Sequence, residues 1–138
     1  MISHITLGVS DMERAGRFYR AIAAPLDLHE RAVEEDGGPL MYCFHVAGTD
    51  APRLYISTPF DDAPATAGNG TMVALIAPSR AAVDAAHAAA LAHGGTDEGP
   101  PGLRPHYAPD YYGAYLRDPD GNKLHVVYRA ELMAARGG

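Results

Sequence analysis

Apolar and polar positions change their period several times along this chain, and twice they do so in the same order. Residues Ile2 to Val9 alternate, with Ser3, Ile5, Leu7 and Val9 on one face and Ile2, His4, Thr6 and Gly8 on the other, which predicts a strand. Met12, Ala15, Phe18, Tyr19 and Ile22 then recur at helical spacing opposite Arg14, Arg17 and Arg20. Ser10 with Glu13 three residues later reads as a capping box, and Pro25 ends the helix near Ala24. Leu28 to Glu34, Leu40 to Ala47 and Arg53 to Thr58 read as three strands separated by Gly- and Pro-containing turns. The first half is therefore β-α-β-β-β.

After Pro59 to Gly70, rich in Asp, Pro, Ala and Gly, the order repeats. Thr71 to Ala77 is an apolar strand, Ser79 caps an alanine-rich helix to about His93, and Gly94-Gly95 ends it. Thr96 to Leu103 reads as a strand, followed by a loop holding His106 and several tyrosines. Tyr111 to Tyr128 reads as a hairpin around Asp118-Pro119-Asp120-Gly121-Asn122, whose proline, carboxylates and glycine suit a tight reversal. Two copies of one unit fit a single α+β domain: module one over about 1–58, a linker over about 59–69, module two over about 70–128, and a tail 129–138 in which Glu131 to Gly138 read as a frayed helical turn. On the last strand Leu124, Val126 and Tyr128 share one face, while Lys123, His125 and Val127 share the other.

Composition narrows the function. An apolar fraction of 47% with 20% charged residues suits a globular protein, and no apolar run nears the roughly 20 residues of a membrane span. The N-terminus lacks the basic and apolar regions of a signal peptide, and a lone cysteine, Cys43, allows no intrachain disulfide, so a cytoplasmic location is expected. A net charge of −6 with eleven scattered Lys and Arg residues argues against nucleic acid and leaves small molecules as the expected partners. No P-loop, nucleophile elbow or dinucleotide fingerprint is present.

Three stretches carry a resemblance: H-I-T-L-G-V-S-D-M-E-R-A-G-R-F-Y-R at the start, P-S-R-A-A-V-D-A-A-H-A-A-A-L-A-H-G-G in the second helix, and P-H-Y-A-P-D-Y-Y-G-A-Y-L-R-D-P-D-G-N-K-L-H at the end. Together they resemble the vicinal oxygen chelate superfamily, which includes glyoxalase I, bleomycin-resistance proteins, fosfomycin-resistance enzymes and extradiol dioxygenases. The resemblance implies two βαβββ modules curled into a cupped, open mixed-sheet barrel, commonly a homodimer, with ligands on the first and last strands of each module. Carried over, His4 and His125 fall at metal positions. Tyr55 and Met72 fall at the remaining two, and a thioether is a poor ligand for a divalent ion. A site for Zn, Mn, Fe or Ni is thereby weakened.

Two readings stay open at this point. In one, a glyoxalase-like, metal-dependent lyase, isomerase or dioxygenase uses His4 and His125; no glutamate stands in that ring as a base, which argues against true lactoylglutathione lyase activity. In the other, a non-catalytic, bleomycin-resistance-like protein binds or sequesters a small organic molecule in a cup lined by Tyr55, Met72, His106, Tyr107, Tyr111 and Tyr112, since rigid aromatic faces and a flexible thioether suit flat ligands. His29 and His45 are expected in the core or at the surface, with a pocket position left open because strand curvature decides which way they face; His87 and His93 are expected on the solvated side of the second helix, and Cys43 as a small buried hydrophobe.

Overall fold

A computed structural model of the chain describes residues 1–136; Gly137 and Gly138, at the end of the expected terminal turn, lie outside the described residues. Module one consists of β1 (His4–Gly8), α1 (Met12–Ala23), β2 (Leu28–Arg31), β3 (Met41–Val46) and β4 (Arg53–Ser57). Module two repeats it with β5 (Met72–Ile76), α2 (Arg80–Ala92), β6 (Thr96–Leu103), β7 (Tyr112–Arg117) and β8 (Lys123–Tyr128), and a short α3 (Leu132–Ala135) follows. Each module forms a four-stranded sheet, in the orders β1-β4-β3-β2 and β5-β8-β7-β6, with the first and last strands parallel and the other pairs antiparallel. The sheets are cupped and do not close into a barrel.

One face of each sheet packs on the helices, and this is the core. Leu7, Val9, Phe44 and Ile56 of module one and Leu116, Leu124 and Val126 of module two are all nearly solvent-free beneath Phe18, Ile22, Val83 and Ala86 of the helices. The helices also meet each other. Gly95 makes this junction possible, because a Cβ there would stand 2.8 Å from the carbonyls of Ala90 and Arg117 and from the Phe18 ring. The opposite faces of the sheets are concave and carry the alternate residues of each strand.

The β7–β8 turn joins the modules. The Asp118 carboxylate, almost fully buried, accepts from the Tyr19 hydroxyl at 2.6 Å, from Asn122 Nδ2 at 2.8 Å and from the amides of Asp120 and Asn122. Asn122 Nδ2 also donates to the Gly8 carbonyl, so one short turn ties α1 and β1 to β8. Burial, with Asp118 beside it, raises the Tyr19 hydroxyl well above the ordinary phenol pKa.

Three local expectations are corrected. The N-cap of α1 is Asp11, whose carboxylate accepts from the Arg14 amide, whereas the Ser10 hydroxyl donates to Asp120 across the module junction. His87 is buried on the sheet side of α2 with its Nε2 2.9 Å from the Asp97 carboxylate; the alanines around it leave room for an imidazole to reach β6. The strand expected over Leu28 to Glu34 also ends early, at Arg31 opposite Cys43, while Tyr42 and Met41 of β3 go on pairing with β4 alone.

Candidate functional site

The concave face of module two is a shelf of rings. Tyr115 and His125 are in register across β7 and β8, and their rings stack 4.1 Å apart at 9°. Tyr111, from the loop before β7, lies near-parallel to His125 at 5.7 Å; Tyr107 follows at 5.0 Å from Tyr111, and His106 at 4.1 Å from Tyr107. The loop is pinned at both ends, with the Arg104 amide donating to the Tyr111 carbonyl and the Tyr107 amide to the Arg104 carbonyl.

Both nitrogens of His125 are engaged. Nδ1 lies 2.8 Å from the Ala114 carbonyl, which only accepts, so Nδ1 carries the proton. Nε2 is left as the acceptor, and the Tyr111 hydroxyl donates to it at 2.7 Å. Burial lowers the pKa of this imidazole, opposed by the Ala114 bond and aided by the charges of Arg104 and Lys123. Burial, then the Tyr107 hydroxyl, pushes Tyr115 up to about 12. The His125, Tyr111 and Tyr115 rings are thus held neutral at physiological pH and are bordered by cations: Lys123 Nζ stands 5.4 Å and Arg104 Cζ 5.7 Å from the centre of the Tyr115 ring, and Arg129 Cζ 5.9 Å from that of Tyr111.

Space for the shelf comes from glycines. A Cβ on Gly113 would meet His125 Cε1 at 2.6 Å, and one on Gly99 would meet Tyr115 at 3.1 Å. Arg104 lies back along β6 over Gly99 and Gly102 and donates to the carbonyls of Pro100 and Leu103.

On the concave face of module one, His4 makes an edge contact with Tyr55, ring centres 5.4 Å apart at 84°, and Ser3 Oγ lies 3.0 Å from its Nδ1. Registers relate the two modules. His4 pairs with Arg53 and Thr6 with Tyr55, while Met72 pairs with Lys123 and Ala74 with His125. Met72 thus stands where His4 stands in module one, and His125 where Tyr55 stands. His29 and His45 are in register with each other on this same concave side, His29 exposed and His45 half-buried; the pairing of β2 with β3 fixes their direction. Cys43 is buried there beside Tyr55, and burial raises its thiol pKa.

Tyr112 is not on the shelf. It alternates with Tyr111, so it points to the helix side, where its hydroxyl donates to Asp84 of α2 at 2.6 Å beneath the Arg80 guanidinium. Conversely, Tyr115 was not singled out in the sequence, and Lys123 was placed on the His125 face without a role. Counting back from the five-residue turn would have paired Tyr115 with His125.

The donor set does not fit a divalent ion as it stands. His4 and His125 lie on different sheets, the only free lone pair of the His125 ring is taken by Tyr111, and among the described residues no three His, Cys, Asp or Glu side chains come together in a way that could hold a metal.

Paired βαβββ modules with their chemistry on the concave sheet faces define a class of protein. The chain belongs to the glyoxalase/bleomycin resistance protein/dioxygenase superfamily, whose family model matches residues 1–126. It is similar to a glyoxalase/bleomycin resistance protein from Albidiferax ferrireducens T118, with 39% identity over 94% of this chain and 99% of that one and a TM-score of 0.81. The fold is shared with the genomically encoded fosfomycin resistance protein FosX from Listeria monocytogenes, at 20% identity over 94% and 91% of the two chains and a TM-score of 0.61. A glyoxalase-related enzyme from Fulvimarina pelagi shares it at 19% identity over 94% and 88%, with a TM-score of 0.67. No curated protein matches the chain. No helix among the described residues is long and apolar enough to cross a membrane.

Proposed function

We propose that this chain binds a flat aromatic small molecule carrying an anionic group on the ring shelf of module two, and that it does so without a divalent metal. The observation carrying this reading is the engagement of His125 Nε2 by the Tyr111 hydroxyl, which turns the position of a metal ligand into part of an aromatic wall. Tyr107 offers an exposed face to a stacking ligand. Arg104 and Lys123 above Tyr115 favour a carboxylate or phenolate on that ligand, within a chain whose net charge is −6.

The chain has no tryptophan, so its eight tyrosines report binding by their own emission. Chelator-treated protein titrated with 2-naphthoate should show saturable quenching that zinc does not alter. Tyr115→Leu should weaken binding about fivefold to a hundredfold, since base-sized aromatic stacking is worth about 1–3 kcal/mol. Binding that appears only after zinc is added would refute the reading.

The chelating-enzyme reading keeps one point of support, the repeat of the His4 and Tyr55 geometry at Met72 and His125. Zinc binding at one ion per chain that shifts the signals of both histidines would favour it. Homodimer formation belongs to the proposal as well: β1 and β5 end their sheets, and Met72 is 43% exposed beside the shelf, a surface that a second copy would cover. Sedimentation equilibrium decides that.

A further inference from the structure

Away from the shelf, strand β5 and helix α3 border a crevice of about 160 Å³ on the helix-facing side of the first sheet. Its walls include Ile5, Leu28, Phe44 and Leu54 of module one and Val73 and Leu75 of module two. Val73 and Leu75 pair with Leu124 and Val126, so they face away from His125, and none of the shelf rings lines the space.

Part of the lining is polar: His45, Thr49 and Arg53 of module one border the crevice, and so does Arg136. Arg136, at the end of α3, lines the crevice with its side chain only 8% exposed. Its Nη2 donates to the carbonyls of Leu26 and Asp27, and its Nη1 lies 3.7 Å from the Asp27 carboxylate. These bonds hold α3 against the corner between α1 and β2. They leave Arg136 Nε, a buried donor, without a hydrogen-bond partner among the described residues. A buried cationic N–H beside apolar walls is costly unless an acceptor meets it.

We infer that this crevice is a second binding site, one that takes a small carboxylic acid with a compact apolar body, its carboxylate on Arg136 Nε and its hydrocarbon part against Ile5, Leu54, Val73 and Leu75. Size agrees: an apolar cavity of about 150 Å³ holds a benzene-sized molecule, so about six carbons fit here. Charge agrees, because an arginine N–H to a carboxylate is among the stronger protein hydrogen bonds. The site is independent of the proposed function, because none of the shelf rings lines it, although His45 and Ala74 of the concave faces reach its border.

Hexanoate is the probe, with 1-hexanol as its neutral counterpart; neither has a ring to stack on the shelf. Methyl-labelled protein should show saturable shifts of Ile5, Leu28, Leu54, Val73 and Leu75 with hexanoate, while the signals of Tyr107, Tyr111 and Tyr115 stay in place. Hexanoate should bind at least tenfold more tightly than 1-hexanol, and Arg136→Met should reverse that order. Because Arg136→Met also loosens α3, Leu75→Phe serves as the second variant: it fills the crevice, keeps the arginine, and should abolish binding of both probes with an unchanged circular dichroism spectrum. Equal binding of acid and alcohol by the parent would overturn the carboxylate claim. Absence of methyl shifts at saturating probe, shifts confined to the shelf, or hexanoate binding undiminished in Leu75→Phe would overturn the site.

Discussion

Replacing Tyr111 by Phe removes one hydroxyl and leaves the shelf's shape intact, so it isolates the bond on which the metal-free reading depends. In the parent, His125 is 1% exposed, its Nδ1–H is committed to Ala114, and Nε2 accepts from Tyr111. In Tyr111→Phe that acceptor keeps its burial and loses its donor. An unmet buried acceptor costs about 1–3 kcal/mol. Tyr111 is itself only partly buried, which lets water reach the vacated position and favours the lower part of the range, about 1–2 kcal/mol. For a chain of this size that corresponds to a fall in Tm of about 3–10 °C. Urea unfolding of parent and variant should show a lower midpoint with an unchanged slope, since the same surface is exposed on unfolding. Nitrogen chemical shifts should show His125 protonated at Nδ1 in both proteins. A loss of stability below about 0.3 kcal/mol, within the spread of neutral surface changes, would refute the argument. So would an Nε2-protonated imidazole in the parent, because Tyr111 would then be accepting and not donating.

Two further outcomes follow from the same contacts. Gly113→Ala should destabilise the protein by about 1–3 kcal/mol through overpacking and diminish 2-naphthoate binding, since its Cβ would come 2.6 Å from His125 Cε1; circular dichroism melts and the tyrosine titration check both. Acid should remove stability in two stages. Burial depresses the pKa of His125, so its contribution is complete above the unfolded-state value of roughly 6.5 and is lost as pH falls through the lower folded value. The His87 bond, with the Gly99 amide, depresses Asp97, whose contribution is complete above roughly 3.9 and lost below it. Thermal melts across this range should show both stages, and Asp97→Asn should shrink only the second, which Asp11 and Glu30 share because their pKa values are lowered too; a profile flat down to about pH 4 would contradict the His125 argument.

What the sequence alone determined about this protein is what depends on period. Alternation along Ile2 to Val9 and Lys123 to Tyr128, the 3.6-residue spacing of α1, and the punctuation by Pro25, Pro59 and Gly94-Gly95 lay out two βαβββ modules, because side-chain direction in strands and helices follows residue count. The same counting places His4, Tyr55, Met72 and His125 on the concave faces. Tertiary structure decided the chemistry of those positions. Which group meets His125 Nε2 depends on a loop folding back over the sheet, and the Tyr111 hydroxyl reaches it from fourteen residues away. Tyr112, its neighbour in sequence, is directed to Asp84 by the register of β7. Ser10 left its expected cap because Asp120, distant in the chain, offered a better acceptor. The crevice at Arg136 exists only because α3 crosses from module two to the α1–β2 corner of module one. Local periodicity carries no record of such long-range meetings, since hydrogen bonds and burial are settled by which surfaces the folded chain brings together.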